Sequence, residues 1–388
     1  MEYALWSYFL LACLFWCLFY LTAMRAKQAI GALPLSVQHA DSPAPMLSVI
    51  IAARNEGKTL PHALNTLIEQ DYPHLEIIIV NDRSSDDTAA ILDEYAVRDP
   101  RIRPIHINTL AKNWLGKTHA LHVACQQACG EWFLFTDADV HHSKRLWKSA
   151  IHYAREQKLD HLALLPKVTT AGSLIQATTK AFGLLFLTSA KVEHIRNPDS
   201  PAAIGVGAFN LVRAEKFKRS AGFEWLRMEV ADDYGLALML KADGGRSDIA
   251  TAYEDLQIEW YPTLSAMVHG LDKNIMAPGT QYKRHNLIIK PLAFAALLLA
   301  PFISLLTFPA TTFWPGLVTL MFVSLPNIVI ALNKKDSIWH WVLSPIGFIV
   351  IAYIFCRACL MCLLRDGIRW RDTYYPRAVL QKYQRVKL

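Results

Sequence analysis

The stretch LSVIIAARNEGKTLPHALNTLIEQDYPHLEIIIVNDRSSDDT, residues 47–88, decides the fold. Leu47–Ala53 is an unbroken apolar, β-branched run, as expected for a parallel strand buried on both faces. Leu60, Leu64, Leu67 and Ile68 then recur at helical spacing. Leu75–Asp82 reads as a second buried strand and residues 84–98 as a second helix, with Ser85 or Asp86 as its cap. Working outward, IRPIHI (102–107) is a third strand, THALHVACQQAC (118–129) a third helix and EWFLFTDAD (131–139) a fourth strand. This alternation predicts an α/β domain with a mainly parallel sheet. Ligands bind such sheets beyond the carboxyl ends of the strands. The polar clusters Arg54–Glu56, Asp82–Asp87 and Asp137–Asp139 fall there. Neither common glycine-rich phosphate loop, GxGxxG or GxxxxGK[ST], is present.

The chain of 388 residues is 53% hydrophobic, and the excess lies at its two ends. Tyr3–Met24 carries no charge and is long enough to cross a bilayer. A cleaved signal peptide needs a basic n-region, but Met1 and Glu2 precede the span while Arg25 and Lys27 follow it. It is therefore read as a retained anchor with Arg25 onward in the cytoplasm. Residues 291–333 are uncharged and have room for two crossings, with a break near residues 309–315. Residues 338–364 form a last apolar stretch interrupted by Arg357. The expected layout is an anchor (1–24), a linker (25–46), a cytosolic catalytic domain (47–286), membrane segments (287–364) and a basic tail (365–388). Three full C-terminal spans would put the tail outside. Two crossings and one re-entrant segment satisfy the positive-inside rule better. An integral protein of a bacterial-type inner membrane is expected.

The net charge of +7 gathers near the membrane segments and in the tail, which suits an anionic lipid surface and not nucleic acid. Of seven cysteines, five lie in apolar spans. Cys356, Cys359 and Cys362 have a metal-like spacing without acidic or histidine partners, so they read as packing residues. Cys125 and Cys129 are expected on one helix face. Nothing demands disulfides, as in a reducing compartment.

Four elements carry chemistry. Asp137 and Asp139, two apart at a strand end, would share a face and meet one Mg²⁺ or Mn²⁺; the bland alternative is a pair of solvated loop aspartates. Asp82 at a strand tip can accept hydrogen bonds from a nucleobase or ribose, although Ser85–Thr88 also suit a capping loop. Gly116 permits close backbone approach and Lys117 offers a cation, unless the segment is an exposed turn. Asp232 and Asp233 open a helix, where the dipole favours acids, or supply a base for an acceptor hydroxyl.

The order AARNE, VNDRSSDDT, GKTHAL, TDAD and ADD over about residues 47–245 resembles the family 2 glycosyltransferases of the GT-A fold. The resemblance implies a sugar transferase. It assigns donor binding to Ala53, Asn55, Glu56, Asp82, Gly116, Lys117 and Asp137, metal binding to Asp139 with Asp137, and the base to Asp233 beside Asp232. Gly207, in the Gly205–Asn210 segment, would lie on the acceptor side, or in a plain turn. The layout is similar to hopanoid-associated, ceramide-glucosyltransferase-like and carotenoid-glycosylating branches. It implies a nucleotide-diphosphate sugar, UDP-linked, as donor and a membrane lipid as acceptor. The Q-x-x-R-W motif of processive synthases is absent, which argues against polymer synthesis. His269 and Lys273 are then candidates to shield the leaving diphosphate, unless they lie on an amphipathic helix at the membrane surface. Rival classes are a polysaccharide synthase, a transporter and a non-catalytic nucleotide-sugar binder. The few ionisable residues within the spans argue against transport.

Overall fold

The computed structural model describes residues 2–34, 43–170, 172–306, 313–314, 316–321, 324 and 343–387. In chain order its strands are β1 Gly31–Ala32, β2 Leu47–Ala53, β3 Leu75–Asp82, β4 Ile102–Ile107, β5 Trp132–Phe135, β6 Val140–His142, β7 His161–Leu165, β8 Lys167–Thr169, β9 Asn210–Arg213, β10 Ser247–Thr251, β11 Leu256–Glu259, β12 Gly367–Trp370 and β13 Thr373–Pro376. The helices are α1 Glu2–Ala29, α2 Leu60–Ile68, α3 Thr88–Arg98, α4 Gly116–Cys125, α5 Leu146–Glu156, α6 Ser173–Ser189, α7 Ala214–Arg219, α8 Gly222–Trp225, α9 Asp232–Ala242, α10 Leu264–Thr280, α11 Arg284–Leu306, α12 Ser344–Arg365 and α13 Arg377–Tyr383.

The β-branched runs form the centre of an eight-stranded sheet of order β1-β10-β7-β9-β5-β2-β3-β4. All its pairings are parallel except those of β9, which runs antiparallel to β5 and β7. Successive side chains of β2 face opposite layers, as the two-residue period of a strand requires. Val49 and Ile51 pack under α2 with Leu64 and Leu67, while Ile50 packs with Ala120, Leu121 and Phe133 beneath α4. A smaller sheet, β6-β11-β8, stands beside the main one.

Two boundaries differ from expectation. The N-terminal helix does not stop at residue 24; it runs to Ala29 and leads into β1, which pairs with β10 at the edge of the main sheet. Ala26 is fully buried among Ala163, Ile204 and Tyr234. The start of the expected linker is thus part of the sheet domain, because Ala26 is buried in its core and β1 extends its edge. The described part of the expected tail, residues 365–387, is likewise not a simple tail. They form the β12–β13 hairpin and α13, held by Arg377, whose guanidinium donates to Asp366 at 2.7 Å and to the Tyr282 carbonyl at 2.9 Å. The expected linker residues 39–42, and most of the expected break and second crossing beyond residue 306, fall outside the described residues.

Helices α1, α6, α10, α11 and α12 pack together through Trp16, Ala181, Leu271, Leu298 and Phe348. A side chain at Gly347 would meet the Ala177 carbonyl at 2.5 Å, so glycine lets α12 cross α6 at close range. Their outer faces leave Leu10, Leu14, Leu18, Ile289, Leu292, Tyr353 and Leu364 exposed. Residues Trp6–Ala29 and Pro345–Arg365 are each long and apolar enough to cross a membrane. Arg357 within α12 is not solitary: it pairs with Asp272 of α10. Cys359 and Cys362 are buried free thiols, in keeping with a packing role. Cys129 lies beyond the end of α4 and is exposed, so it does not share a helix face with Cys125.

Candidate active site

The carboxyl ends of β2 and β3 form the floor of a cavity of about 1000 Å³. Ala53, Arg54, Glu56 and Asp82 line it there. Asp82 is 3% exposed and is held by its neighbour: Arg83 donates to both carboxylate oxygens, at 2.7 and 3.0 Å. Arg54 lies 3.7 Å away on the other side. Asn55 is not a cavity residue, contrary to expectation. Its backbone is left-handed, at φ 54°, which turns the amide toward the next loop. There its oxygen accepts from the Ser85 amide at 2.8 Å, while its own N–H donates to the Ser84 hydroxyl at 2.9 Å. Asn55 braces two loops against each other. Asp87, not Ser85 or Asp86, occupies the N-cap of α3, and its side chain makes no capping bond. Asp86 instead accepts from the amides of Thr88 at 3.1 Å and Gly57 at 2.9 Å, tying the helix start to the β2 loop.

Gly116 opens α4 directly over Asp82. A Cβ there would sit 2.2 Å from the Asp82 carboxylate, so only glycine fits. The next residue, Lys117, reaches the centre of the cavity and bridges Asp137 at 2.8 Å and Asp232 at 3.3 Å. Burial disfavours its ammonium, but Asp137, Asp232 and Asp233 outweigh that and raise its pKa.

The two aspartates of the TDAD segment do not share a strand face. Strand β5 ends at Phe135, and residues 136–139 form a turn, so the two-residue alternation no longer applies. The turn is fixed by the Thr136 hydroxyl donating to the Ala208 carbonyl at 2.8 Å and by the Asp137 amide donating to Gly207 at 3.0 Å. Asp137 is engaged by Lys117. Asp139 has no ion pair among the described residues, and burial, then Asp137 and Glu56, push its pKa up. A carboxylate held in that state fits a divalent cation. Among the described residues no group of three or more His, Cys, Asp or Glu side chains is arranged to hold one alone. His142 takes no part: it is buried against Trp147, whose ring N–H donates to it at 3.2 Å.

Asp232 and Asp233 start α9 on the far side of Lys117. Burial raises both carboxyl pKa values, opposed in each case by Lys117. Asp233 accepts from the Tyr234 amide at 2.8 Å. The Gly205–Asn210 segment presses on it: a Cβ at Gly205 would stand 1.8 Å from the Asp233 carbonyl oxygen, and one at Gly207 2.5 Å from the Asp137 carboxylate. Glycine is required at both positions because backbone and acids meet without space for a methyl group. Glu229, a few residues earlier, accepts from the amides of Arg385 at 2.7 Å and Val386 at 3.0 Å, which ties the extended C-terminal segment to the start of α9.

Of the two candidates on α10, only Lys273 faces the cavity. His269 is exposed, its ring nitrogen 2.8 Å from the Ser265 carbonyl one turn back, because residues four apart share a helix face that here points outward. His269 thus does not line the cavity, contrary to expectation. His269→Ala is expected to leave turnover within about twofold of wild type, as for surface changes away from a site, when initial rates are compared. Residues that sequence reasoning passed over complete the walls: Phe182 and Phe186 of α6, Phe294 of α11, and Trp370, Arg371 and Tyr375 of the C-terminal hairpin. The aromatic and basic run G-I-R-W-R-D-T-Y-Y at residues 367–375 was the available signal for the last three.

Residues 48–220 match the family described as Glycosyl transferase family 2. Over those residues, less than half of the chain, it is similar to the family 2 glycosyltransferases, and its architecture is that of the GT-A fold. Over 94 residues it is 35% identical to 4,4'-diaponeurosporenoate glycosyltransferase of Staphylococcus aureus (strain MRSA252), a match covering 24% of each chain. The chain therefore spans about a quarter of the length of the curated relatives it matches. Among solved structures, mannosyltransferase PcManGT from Pyrobaculum calidifontis, in complex with GDP-Man and Mn²⁺, aligns over 94% of this chain and 98% of its own. The TM-score is 0.54 at 20% identity, a likeness of fold. The S. aureus protein TarS 1-349 in complex with UDP aligns over 85% of this chain and 95% of its own at 16% identity and a TM-score of 0.39.

Proposed function

We propose that the protein transfers a single sugar from a nucleoside-diphosphate donor, UDP-linked, to the polar end of a membrane lipid, with inversion at the anomeric carbon. One observation carries this reading. One cavity is lined by Asp82, Lys117 and Asp139, by Asp232 and Asp233, and by the apolar side chains Phe182, Phe186, Phe294, Leu297 and Phe355. Polar and apolar walls on one chamber suit a hydrophilic sugar nucleotide and an elongated apolar acceptor. The relative named for 4,4'-diaponeurosporenoate supports a carotenoid-like acceptor, with hopanoid-type and sphingolipid-type lipids as the other members of the class. Helices α1, α11 and α12 anchor the protein in the membrane in this reading, with the catalytic domain on the cytoplasmic side.

In the donor half, Asp82 and the Ala53 backbone receive the nucleoside, and Gly116 leaves space for it. Asp139, with Asp137 beside it, would hold Mg²⁺ or Mn²⁺. When bound, that cation supplies Lewis-acid neutralisation of the leaving diphosphate. Lys117 keeps Asp137 and Asp232 in place through its two ion pairs. Asp233 takes the proton from the acceptor hydroxyl as its oxygen bonds to the anomeric carbon. The bond from that carbon to the diphosphate oxygen breaks on the opposite face, releasing nucleoside diphosphate. Burial of Asp233 raises its proton affinity, against the opposing charge of Lys117, which makes it a stronger base than an exposed carboxylate.

The test is to incubate the full chain in lipid nanodiscs with UDP-sugars and total bacterial membrane lipid, and to read hexose mass increments. A glycolipid of inverted anomeric configuration is expected. A soluble polymer ladder, or donor hydrolysis without any glycolipid, would overturn the reading. In the same assay EDTA is expected to reduce transfer at least about 100-fold, several kcal/mol of lost charge stabilisation, with Mn²⁺ or Mg²⁺ restoring it. Unchanged transfer in EDTA would remove the metal from the scheme.

A further inference from the structure

The C-terminal hairpin lies against the donor side of the cavity and is fastened there by two crossed ion pairs. Arg371 at its tip donates to Glu56 at 2.7 Å, and Asp372 accepts from Arg54 at 3.2 Å. Arg54 and Glu56 belong to the loop that follows β2, beside Asp82. Tyr375 of the hairpin and Gly116 at the start of α4 line the same cavity. Trp370 covers Lys273, whose ammonium lies 4.7 Å from the ring centroid.

We propose that Arg371, with Lys273 beside it, is the cationic clamp for the donor's diphosphate, and that the Arg371–Glu56 pair is the resting contact the diphosphate replaces. The inference rests on the nucleoside-diphosphate reading above and adds the residues that recognise the second phosphate.

Charge bookkeeping favours these two cations. Arg54, Lys117, Lys273, Lys290 and Arg371 all line the cavity, but Arg54 is engaged by Asp82 and Asp372 and Lys290 by the Gly279 carbonyl. Lys117 is already satisfied by Asp137 and Asp232. Lys273 donates to the neutral Asn274 amide at 3.0 Å and has no ion pair among the described residues. Burial, then the nearby Lys117, lower its pKa to about 8, the response of an ammonium that lacks an anion. Arg371 has Glu56, but its side chain is 39% exposed, and half-exposed pairs contribute little. An anion with two phosphates offers more than one carboxylate does, because a guanidinium binds phosphate through paired N–H groups.

The backbone points the same way. Arg371 sits in the left-handed region, at φ 51°, at the turn between β12 and β13. Glycine or asparagine would take that conformation at lower cost. An arginine there directs its side chain into the donor side of the cavity, and unfavourable backbone of this kind collects at ligand clamps.

The experiment measures binding of UDP and UMP to the full chain in nanodiscs with Mn²⁺, by calorimetry. Wild type is expected to prefer UDP by about 30-fold or more, as a charged hydrogen-bonded contact to a second phosphate requires. Arg371→Ala and Arg371→Gln are each expected to cut that preference about tenfold while UMP affinity stays within twofold, and Arg371→Lys to restore part of it. Asp372→Asn, which breaks the other ion pair but keeps the cation, is expected to retain the preference. Unchanged UMP affinity also reports that the variants are folded. A wild-type preference that survives both Arg371→Ala and Arg371→Gln overturns the clamp while leaving the donor reading intact. Equal loss in Asp372→Asn also overturns it, since the hairpin would then act only as a strap. A wild type that binds neither nucleotide overturns the donor reading itself, and the clamp with it.

Discussion

Asp233→Asn is expected to lower sugar transfer by about 10²–10⁴-fold, the contribution of a positioned general base, and to leave UDP binding within a few-fold. The asparagine keeps the volume of the carboxylate, and its oxygen can still accept from the Tyr234 amide at 2.8 Å. What it loses is the ability to take a proton. Folding should not suffer, because Asp137, Asp232 and Asp233 crowd one ammonium, and removing one negative charge relieves repulsion among them. Transfer rates and calorimetric UDP binding, measured on the same preparation, check both halves. Normal turnover would move the base to Asp232, and lost UDP binding would show that the change disturbed the donor site instead.

Lys117→Met is expected to be the other severe change, and by a different route. The lysine joins the turn after β5 to the start of α9 through Asp137 at 2.8 Å and Asp232 at 3.3 Å. Without it, Asp232, whose side chain is 8% exposed, keeps a charge that neither water nor a partner stabilises. Removing one partner of a buried pair costs about 3–5 kcal/mol, and the partial exposure of Asp137 puts this case near about 3 kcal/mol. Turnover should fall at least about 100-fold, since displacing a reacting group by about 1 Å is enough for that. Lys117→Met combined with Asp232→Asn separates the two effects. Thermal stability should recover in part because the stranded charge is gone, while transfer stays lost. Retention of both stability and turnover in the single variant would mean that Lys117 is an ordinary cavity lysine.

The core of the domain was legible because strand and helix periods differ. Leu47–Ala53 and Leu75–Asp82 formed the buried parallel strands their composition implies, and Leu60, Leu64 and Leu67 faced the sheet together. The acids were legible because ligand-binding polar residues gather where strands end. Reading failed where a residue's role depends on the direction a loop takes. Asn55 looked like a donor contact until its left-handed backbone turned it toward Ser85. His269 and Lys273 lie one turn apart on α10, yet His269 is exposed and Lys273 lines the cavity, because Trp370 of the distant hairpin packs over Lys273.

Asp137 and Asp139 began as a short acidic pair beyond a strand, and the sequence by itself determined that they would stand at the carboxyl edge of a parallel sheet, in order between Lys117 and Asp233. Local chemistry decides that much, since hydrophobic runs and turn residues act over a few positions. Only the tertiary structure decided how the acids are partnered: Asp137 pairs with Lys117, and Asp139 has no ion pair among the described residues. It also brought Arg371, more than 200 residues further along, to the same chamber. Side chains so far apart in the chain meet only when the hairpin, α10 and the β2 loop are packed together. No periodicity or spacing encodes that meeting, because it is set by the free energy of the whole assembled body.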